Sequence, residues 1–216
     1  MKKQIKIHLV ILFMASINLF AQQNISLIVE LKDMKMEMVN REISPYPEDP
    51  NAVEMNANNS SGLGVLEDVH FDKGTIEIDL KGENNPGKSF IGIAFNIQNN
   101  ETYEAVYFRP FNFVAEEQIR KEHMVQYIYH PEFTWRKLRE ERTGAFENEI
   151  PSPPNPDTWF KAKIKISDEK VDVFINGISE PVLSIDRLTS SKSKKIGIWT
   201  GYGSSGRFKN LVLRPE

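Results

Sequence analysis

Two stretches of this sequence concentrate side chains able to recognise or transform a polar ligand. Tyr103-Glu104-Ala105-Val106-Tyr107-Phe108-Arg109-Pro110 carries two tyrosines, a carboxylate and a guanidinium. Met124-Val125-Gln126-Tyr127-Ile128-Tyr129-His130-Pro131 adds an amide, two more tyrosines and an imidazole, and Asn112, Trp135 and Arg139 lie close by in the chain. Both stretches read as strands. In the first, Val106 and Phe108 face one way, and Tyr103, Ala105, Tyr107 and Arg109 face the other. Tyrosine and arginine on a face of little bulk suit a sugar, because aromatic faces stack on pyranose C–H surfaces while guanidinium offers a rigid fork of donors. The same parity sets Glu104 on the apolar side with Val106. A lone carboxylate there is costly, so either the strand has not yet entered the core or Glu104 has a partner.

The elements that must position these groups are short strands. Thr75–Lys81 alternates Ile76, Ile78 and Leu80 with Glu77, Asp79 and Lys81, and Trp159–Ile166 repeats the pattern with its lysines toward water. Val171–Ile175 precedes Asn176-Gly177, a pair suited to the positive φ angles of a tight hairpin turn. Lys195–Trp199 and Phe208–Leu213 read as closing strands. Phe90–Ile97 is bulky at Ile91, Ile93, Phe95 and Ile97 but lean at Gly92, Ala94 and Asn96. That lean side either forms the floor of a groove or lets a neighbouring strand or loop approach closely. Ser26–Leu31 and Lys35–Val39 also look strand-like. Helix is expected only over Glu116–His123 and over Thr134–Glu141, with Thr134 as its cap. Ile150–Pro156, rich in proline, predicts a stiff extended loop. Many short strands with frequent turns predict an all-β, antiparallel two-sheet jelly-roll sandwich.

The chain of 216 residues has 27 Lys+Arg against 30 Asp+Glu, and 40% of its residues are hydrophobic. These values suit a globular chain with a core of its own. The absence of cysteine excludes disulfides, a thiol nucleophile, an iron–sulfur cluster, Cys-ligated zinc and a lipidated N-terminal cysteine. The formal charge of −3 gives no electrostatic reason to expect nucleic acid. Residues 1–21 read as a signal peptide: a basic start at Lys2, Lys3 and Lys6, an apolar run from Leu9 to Ala15, and Ala21 before a polar stretch. The apolar run is too short for a stable membrane span. Its removal would leave one jelly-roll domain over 22–216, move the formal charge from −3 to −6, and place the protein in the periplasm or outside the cell.

Several of these segments together resemble the concanavalin A-like lectin/glucanase superfamily. They are Phe71-x-x-Gly74-x-Ile76-Glu77-x-Asp79, Ser89–Phe95, Tyr103–Phe113, Gln126-Tyr127-Ile128-x-His130-Pro131-x-x-x-Trp135-x-x-Leu138-Arg139, Trp159-Phe160, Val173-x-Ile175-Asn176-Gly177 and Gly197-Ile198-Trp199. The nearest branch is the family-16-glycosidase-like domain called 3-keto-disaccharide hydrolase, and the resemblance covers about Val53 to the C-terminus. It implies a carbohydrate partner. Family-16 glycosidases carry Glu-x-Asp-x-Glu, or the same with one inserted residue. Here Glu77 and Asp79 fit the first half, but Lys81 and Gly82 stand where the second Glu should be. A solvated acidic strand face is therefore the expectation for Glu77 and Asp79.

The branch's chemistry, proton abstraction from an oxidised sugar, needs a base and an electrostatic stabiliser. The resemblance then nominates Glu104 or His130 as base and Arg109 as stabiliser. Tyr107, Asn112, Gln126, Trp135 and Arg139 are nominated as substrate-binding residues. No metal site is expected from side chains, although relatives of the fold hold Ca²⁺ through loop carbonyls and the resemblance leaves room for Ca²⁺ here. Three functions follow: an exported glycan-binding domain, foremost; a hydrolase or lyase acting on 3-keto-glycosides or related modified sugars; and a non-sugar adhesion or structural module.

Overall fold

A computed structural model describes residues 21–216; the expected signal peptide falls almost wholly outside them. The elements in chain order are β1 (Gln23–Ile25), α1 (Leu27–Lys32), β2 (Met36–Val39), β3 (Ile43–Pro45), β4 (Val53–Met55), β5 (Gly62–His70), β6 (Gly74–Lys81), β7 (Ile91–Phe95) and β8 (Tyr103–Phe108). After a 3-10 turn at Pro110–Asn112 come α2 (Gln118–Lys121), β9 (Val125–His130), α3 (Trp135–Glu141), β10 (Glu147–Asn148) and β11 (Phe160–Ile166). β12 (Lys170–Ile175), β13 (Leu183–Asp186), β14 (Lys195–Thr200) and β15 (Gly206–Pro215) complete the chain.

Every strand pairing is antiparallel, and the strands form two sheets. One has the order β13-β12-β11-β6-β15-β4-β3, with β1 also on β15; the other has the order β10-β9-β8-β7-β14-β5-β2. This is the expected jelly-roll sandwich. Alternation explains the layering. Ile76, Ile78 and Leu80 of β6 and Ala162, Ile164 and Ile166 of β11 are buried on the inner face of the first sheet. Ile93, Val106, Phe108 and Ile198 oppose them from the second, and the Phe108 ring meets Phe160 edge-on at 5.2 Å. Each large aliphatic side chain so buried contributes about 1.5–3 kcal/mol.

The outer face of the first sheet is a ladder of opposite charges. Asp79 pairs with Lys161 at 2.8 Å, and Glu77 with Arg214 at 2.6 Å. The only glycosidase-like carboxylate pair in the sequence is thus engaged by basic neighbours on a polar surface.

Two local expectations are corrected. Ser26–Leu31 is not a strand but carries helix α1, because Leu27, Ile28 and Leu31 fall on one helical face, with Leu27 and Ile28 buried and Leu31 packed on the core. Asn176-Gly177 does adopt positive φ, 48° and 78°, with the Ile178 amide donating to the Ile175 carbonyl at 3.1 Å. The partner strand nevertheless resumes only at Leu183, opposite Val173, so the tight turn opens a longer loop rather than a two-residue hairpin.

Candidate functional site

The outer face of the second sheet is built differently. Its registers align Trp199 of β14, Gly92 of β7, Tyr107 of β8, Gln126 of β9 and Glu147 of β10 in one cross-strand row. Gly92 is the gap in that row. A Cβ there would sit 2.1 Å from the Val106 carbonyl oxygen and 2.6 Å from the Tyr107 Cα. Its absence lets the Tyr107 and Trp199 rings meet over it, with centroids 4.8 Å apart. The lean side of β7 is therefore both things the sequence allowed, a site of close backbone approach and part of a groove floor.

Over this row lies a groove of about 700 Å³, within the usual range for small-molecule sites. On the β9 side it is walled by α3, whose first turn is capped by Thr134 Oγ1, accepting from the Lys137 amide, and which is anchored by buried Leu138. On the β14 side the wall is the loop after Thr200, which carries Tyr202. That loop is pinned: Gly201 N–H donates to the Phe90 carbonyl at 2.9 Å, Gly203 N–H to Asn58 at 2.8 Å, and buried Arg41 donates from Nη2 to the Gly201 carbonyl at 2.8 Å. Trp135 and Tyr202 line the groove and remain 42% and 61% exposed. Large apolar rings left in solvent on both rims of one groove are the arrangement an aromatic sugar platform requires.

Beneath the rings is a polar network. Arg109, buried, donates from Nη2 to Tyr107 Oη at 2.9 Å and to the Gln126 side-chain oxygen, and from Nη1 to the His123 carbonyl at 2.9 Å. Tyr107 Oη donates to the same Gln126 oxygen at 3.0 Å. With its oxygen accepting twice, the Gln126 amide nitrogen has no partner among the described residues, an open donor in a buried position. Glu147 accepts from Arg139 through both oxygens, at 2.9 and 2.7 Å, and lies 2.8 Å from His123 Nδ1 and 3.7 Å from Arg109 Nη1. Burial pushes the His123 imidazole below its ordinary pKa, only partly opposed by the nearby Glu147 carboxylate. Burial likewise raises the Tyr107 phenol, so it stays a neutral donor. Asn112 holds the end of the groove in place, donating to the His123 carbonyl at 3.2 Å and accepting from Arg120 Nε at 3.3 Å.

Of the residues expected from sequence, the structure gathers Tyr107, Arg109, Asn112, Gln126, Trp135 and Arg139 around this groove. His130 also lines it, further along the sheet beside Tyr103, on whose ring it stacks at 5.2 Å. Glu104 is not with them. It is fully buried on the opposite, inner face of β8, where Arg187 donates to both of its oxygens, Tyr127 Oη donates to one and the Asn96 amide to the other at 2.6 Å. The alternation that sends Tyr107 outward sends Glu104 inward, so it cannot act on a ligand in the groove. Sequence reasoning missed Glu147, His123, Trp199, Tyr202, Arg120 and Arg136. Tyr202 sits between two glycines and reads as turn punctuation, and Glu147 lies on a two-residue strand with no periodicity to detect.

Among the described residues there is no cluster of three or more His, Asp or Glu able to hold a metal, and no helix is long and apolar enough to cross a membrane. The groove's polar side chains offer guanidinium, imidazole, amide and hydroxyl groups, with one nearby carboxylate already held by arginine. These side chains do not by themselves supply the six to eight oxygens that Ca²⁺ takes.

No protein-family model matches the chain, and no curated protein matches it. Solved structures do. The carbohydrate binding module CBM66 from Bacillus subtilis superposes with a TM-score of 0.57 at 12% identity, over 82% of this chain and 93% of its own. A protein of unknown function with a galectin-like fold, also from Bacillus subtilis, gives 0.57 at 14% identity, over 90% and 94%. The VIP36 exoplasmic/lumenal domain bound to Ca²⁺ and Man3GlcNAc gives 0.53 at 12% identity, over 84% of each chain. The fold is therefore the two-sheet jelly roll that these structures share.

Proposed function

We propose that this protein is an exported glycan-binding domain, residues 22–216, that seats its ligand in the groove over β7, β8, β9 and β14. The carrying observation is the pair of exposed rings, Trp135 and Tyr202, rising from the β9 and β14 sides of a floor of Tyr107 and Trp199. Three strand spacings of about 4.8 Å lie between those two strands, roughly 14 Å, which gives a short oligosaccharide room to lie across the floor. The carbohydrate-binding character of structures that share the fold supports the same reading. The test is a glycan-array or calorimetric screen of plant, algal and host polysaccharides. Binding is expected, with Trp135→Ala and Tyr202→Ala each weakening it about tenfold while leaving the melting temperature within a degree or two. Absence of binding across the panel would sink the reading.

One observation favours a second, enzymatic reading, in which the finer resemblance to 3-keto-disaccharide hydrolases extends to activity. His130 Nδ1 lies 2.6 Å from the Glu101 carbonyl, which only accepts, so Nδ1 carries the proton and Nε2 is free to act as a base. In that reading the groove cleaves modified sugars, and His130→Ala abolishes turnover of a 3-keto-glycoside while binding persists.

A further inference from the structure

The side chains lining the groove include four arginines, Arg109, Arg120, Arg136 and Arg139, and two histidines, but no aspartate, glutamate or lysine. The whole chain carries more acidic than basic residues, 30 against 27, so this is a segregation of charge rather than a reflection of composition. Glu147, beneath the wall, is the one buried carboxylate held against these groups, and two guanidiniums share it. The surplus is positive charge concentrated over aromatic rings.

The donors differ in how far they are already used. Arg109 commits Nη2 to Tyr107 and Gln126 and Nη1 to the His123 carbonyl, and is buried beneath the rings. Arg139 engages Glu147 with Nε and Nη2, leaving Nη1 without a partner among the described residues. Arg120 donates to the Asn112 side-chain oxygen and the Phe111 carbonyl and has a long ion pair, 3.5 Å, with the exposed Glu117. Exposed Arg136 makes no hydrogen bond or ion pair to the described residues; its guanidinium rests 5.4 Å from the Trp135 ring centroid, and that of Arg139 lies 5.1 Å from the same centroid. A ring flanked by two guanidiniums with free N–H groups binds a sugar face and an anionic substituent together.

From this arrangement we infer that the groove selects acidic glycans, chains of pyranose rings bearing carboxylate or sulfate, with Arg136 and Arg139 receiving the anion beside Trp135. The inference rests on the glycan-binding reading and narrows it. A planar fork of N–H donors matches carboxylate and sulfate oxygens two at a time, whereas a neutral hydroxymethyl at the same position would leave the cations uncompensated. Low-dielectric aromatic walls also concentrate the field, so association should be sensitive to salt.

The experiment compares an oligogalacturonide with its carboxyl-reduced, neutral counterpart by titration calorimetry, with a sulfated oligosaccharide as a third arm. The expected result is at least tenfold tighter binding of one or both acidic forms, with the advantage shrinking as sodium chloride rises from about 50 to 500 mM. Preference for the carboxylate or the sulfate arm identifies which acid the fork receives. Arg136→Gln, at an exposed position with no internal partner to lose, should reduce acidic binding about tenfold and neutral binding by a clearly smaller factor. Equal affinity for the acidic and neutral forms overturns the charge inference and leaves the glycan reading standing. Failure of all three arms, and of the neutral panel, overturns both.

Discussion

Two buried carboxylates, Glu104 and Glu147, sit on opposite faces of the same sheet and differ in how completely their charge and lone pairs are met. Glu104 meets a single guanidinium, Arg187, which engages both of its oxygens, and Tyr127 and Asn96 fill the remaining acceptor sites. Charge is balanced and every lone pair is directed at a donor, so nothing is left for a ligand. Glu147 is shared by Arg139 and Arg109 with His123 alongside, so positive charge is left over, and an amide donor on Gln126 goes unanswered nearby. The residue types are the same; the stoichiometry is not. A closed network holds the sandwich together, and an open one can recognise an anion.

The widest separation between the two should come from Glu104→Ala. Removing it strands Arg187 in the interior, and a loss of about 3–5 kcal/mol is expected in urea denaturation, with the folded fraction still binding glycan normally. Replacing the pair together, Glu104→Leu with Arg187→Met, should recover much of that loss. A Glu104 variant that stays stable but stops binding would erase the distinction. Next in size is Glu147→Gln, expected to cost about 1.5–3 kcal/mol through weakened hydrogen bonds to Arg139. Because it frees both guanidiniums, affinity for acidic glycan should rise rather than fall; a fall would mean that Glu147 itself touches the ligand.

The smallest effect concerns protons. The folded pKa of His123 is depressed by burial, so as pH drops below about 6.5 the unfolded chain binds a proton that the folded chain declines. Stability should therefore decrease with falling pH in that window, and His123→Gln should flatten the slope. An unchanged slope would remove His123 from the network.

Strand parity carries most of what is legible in the sequence. It separates Tyr107 and Arg109 from Glu104 on β8, and the buried polar partner it demands for Glu104 exists. It marks β6 and β11 with nearly their true bounds. Parity fails where the residues are not on long strands. Arg187 lies just past the end of β13, Glu147 on a two-residue strand and Tyr202 in a loop, and all three are brought to their places by sheet order rather than by local pattern. Helix α1 misleads for another reason: Ile28 and Val29 favour strands intrinsically, yet burying Leu27 and Ile28 against β15 outweighs propensity. Trp199 is visible as a strand residue, but its role depends on the gap at Gly92, directly opposite it on β7 and far away in the chain.

The tether from Arg41 to the Tyr202 loop has a consequence for the thermodynamics of recognition. Besides Gly201, Arg41 donates to the Asn40 and Ser60 carbonyls at 2.7 Å and to the Thr200 hydroxyl at 2.8 Å, so a single side chain joins three separate stretches of chain. The backbone that presents one rim of the groove is therefore ordered during folding, before any ligand arrives. Association would then have mainly the ligand's own freedom to restrict, and a change at Arg41, which does not line the groove, would reappear as an entropic penalty on binding.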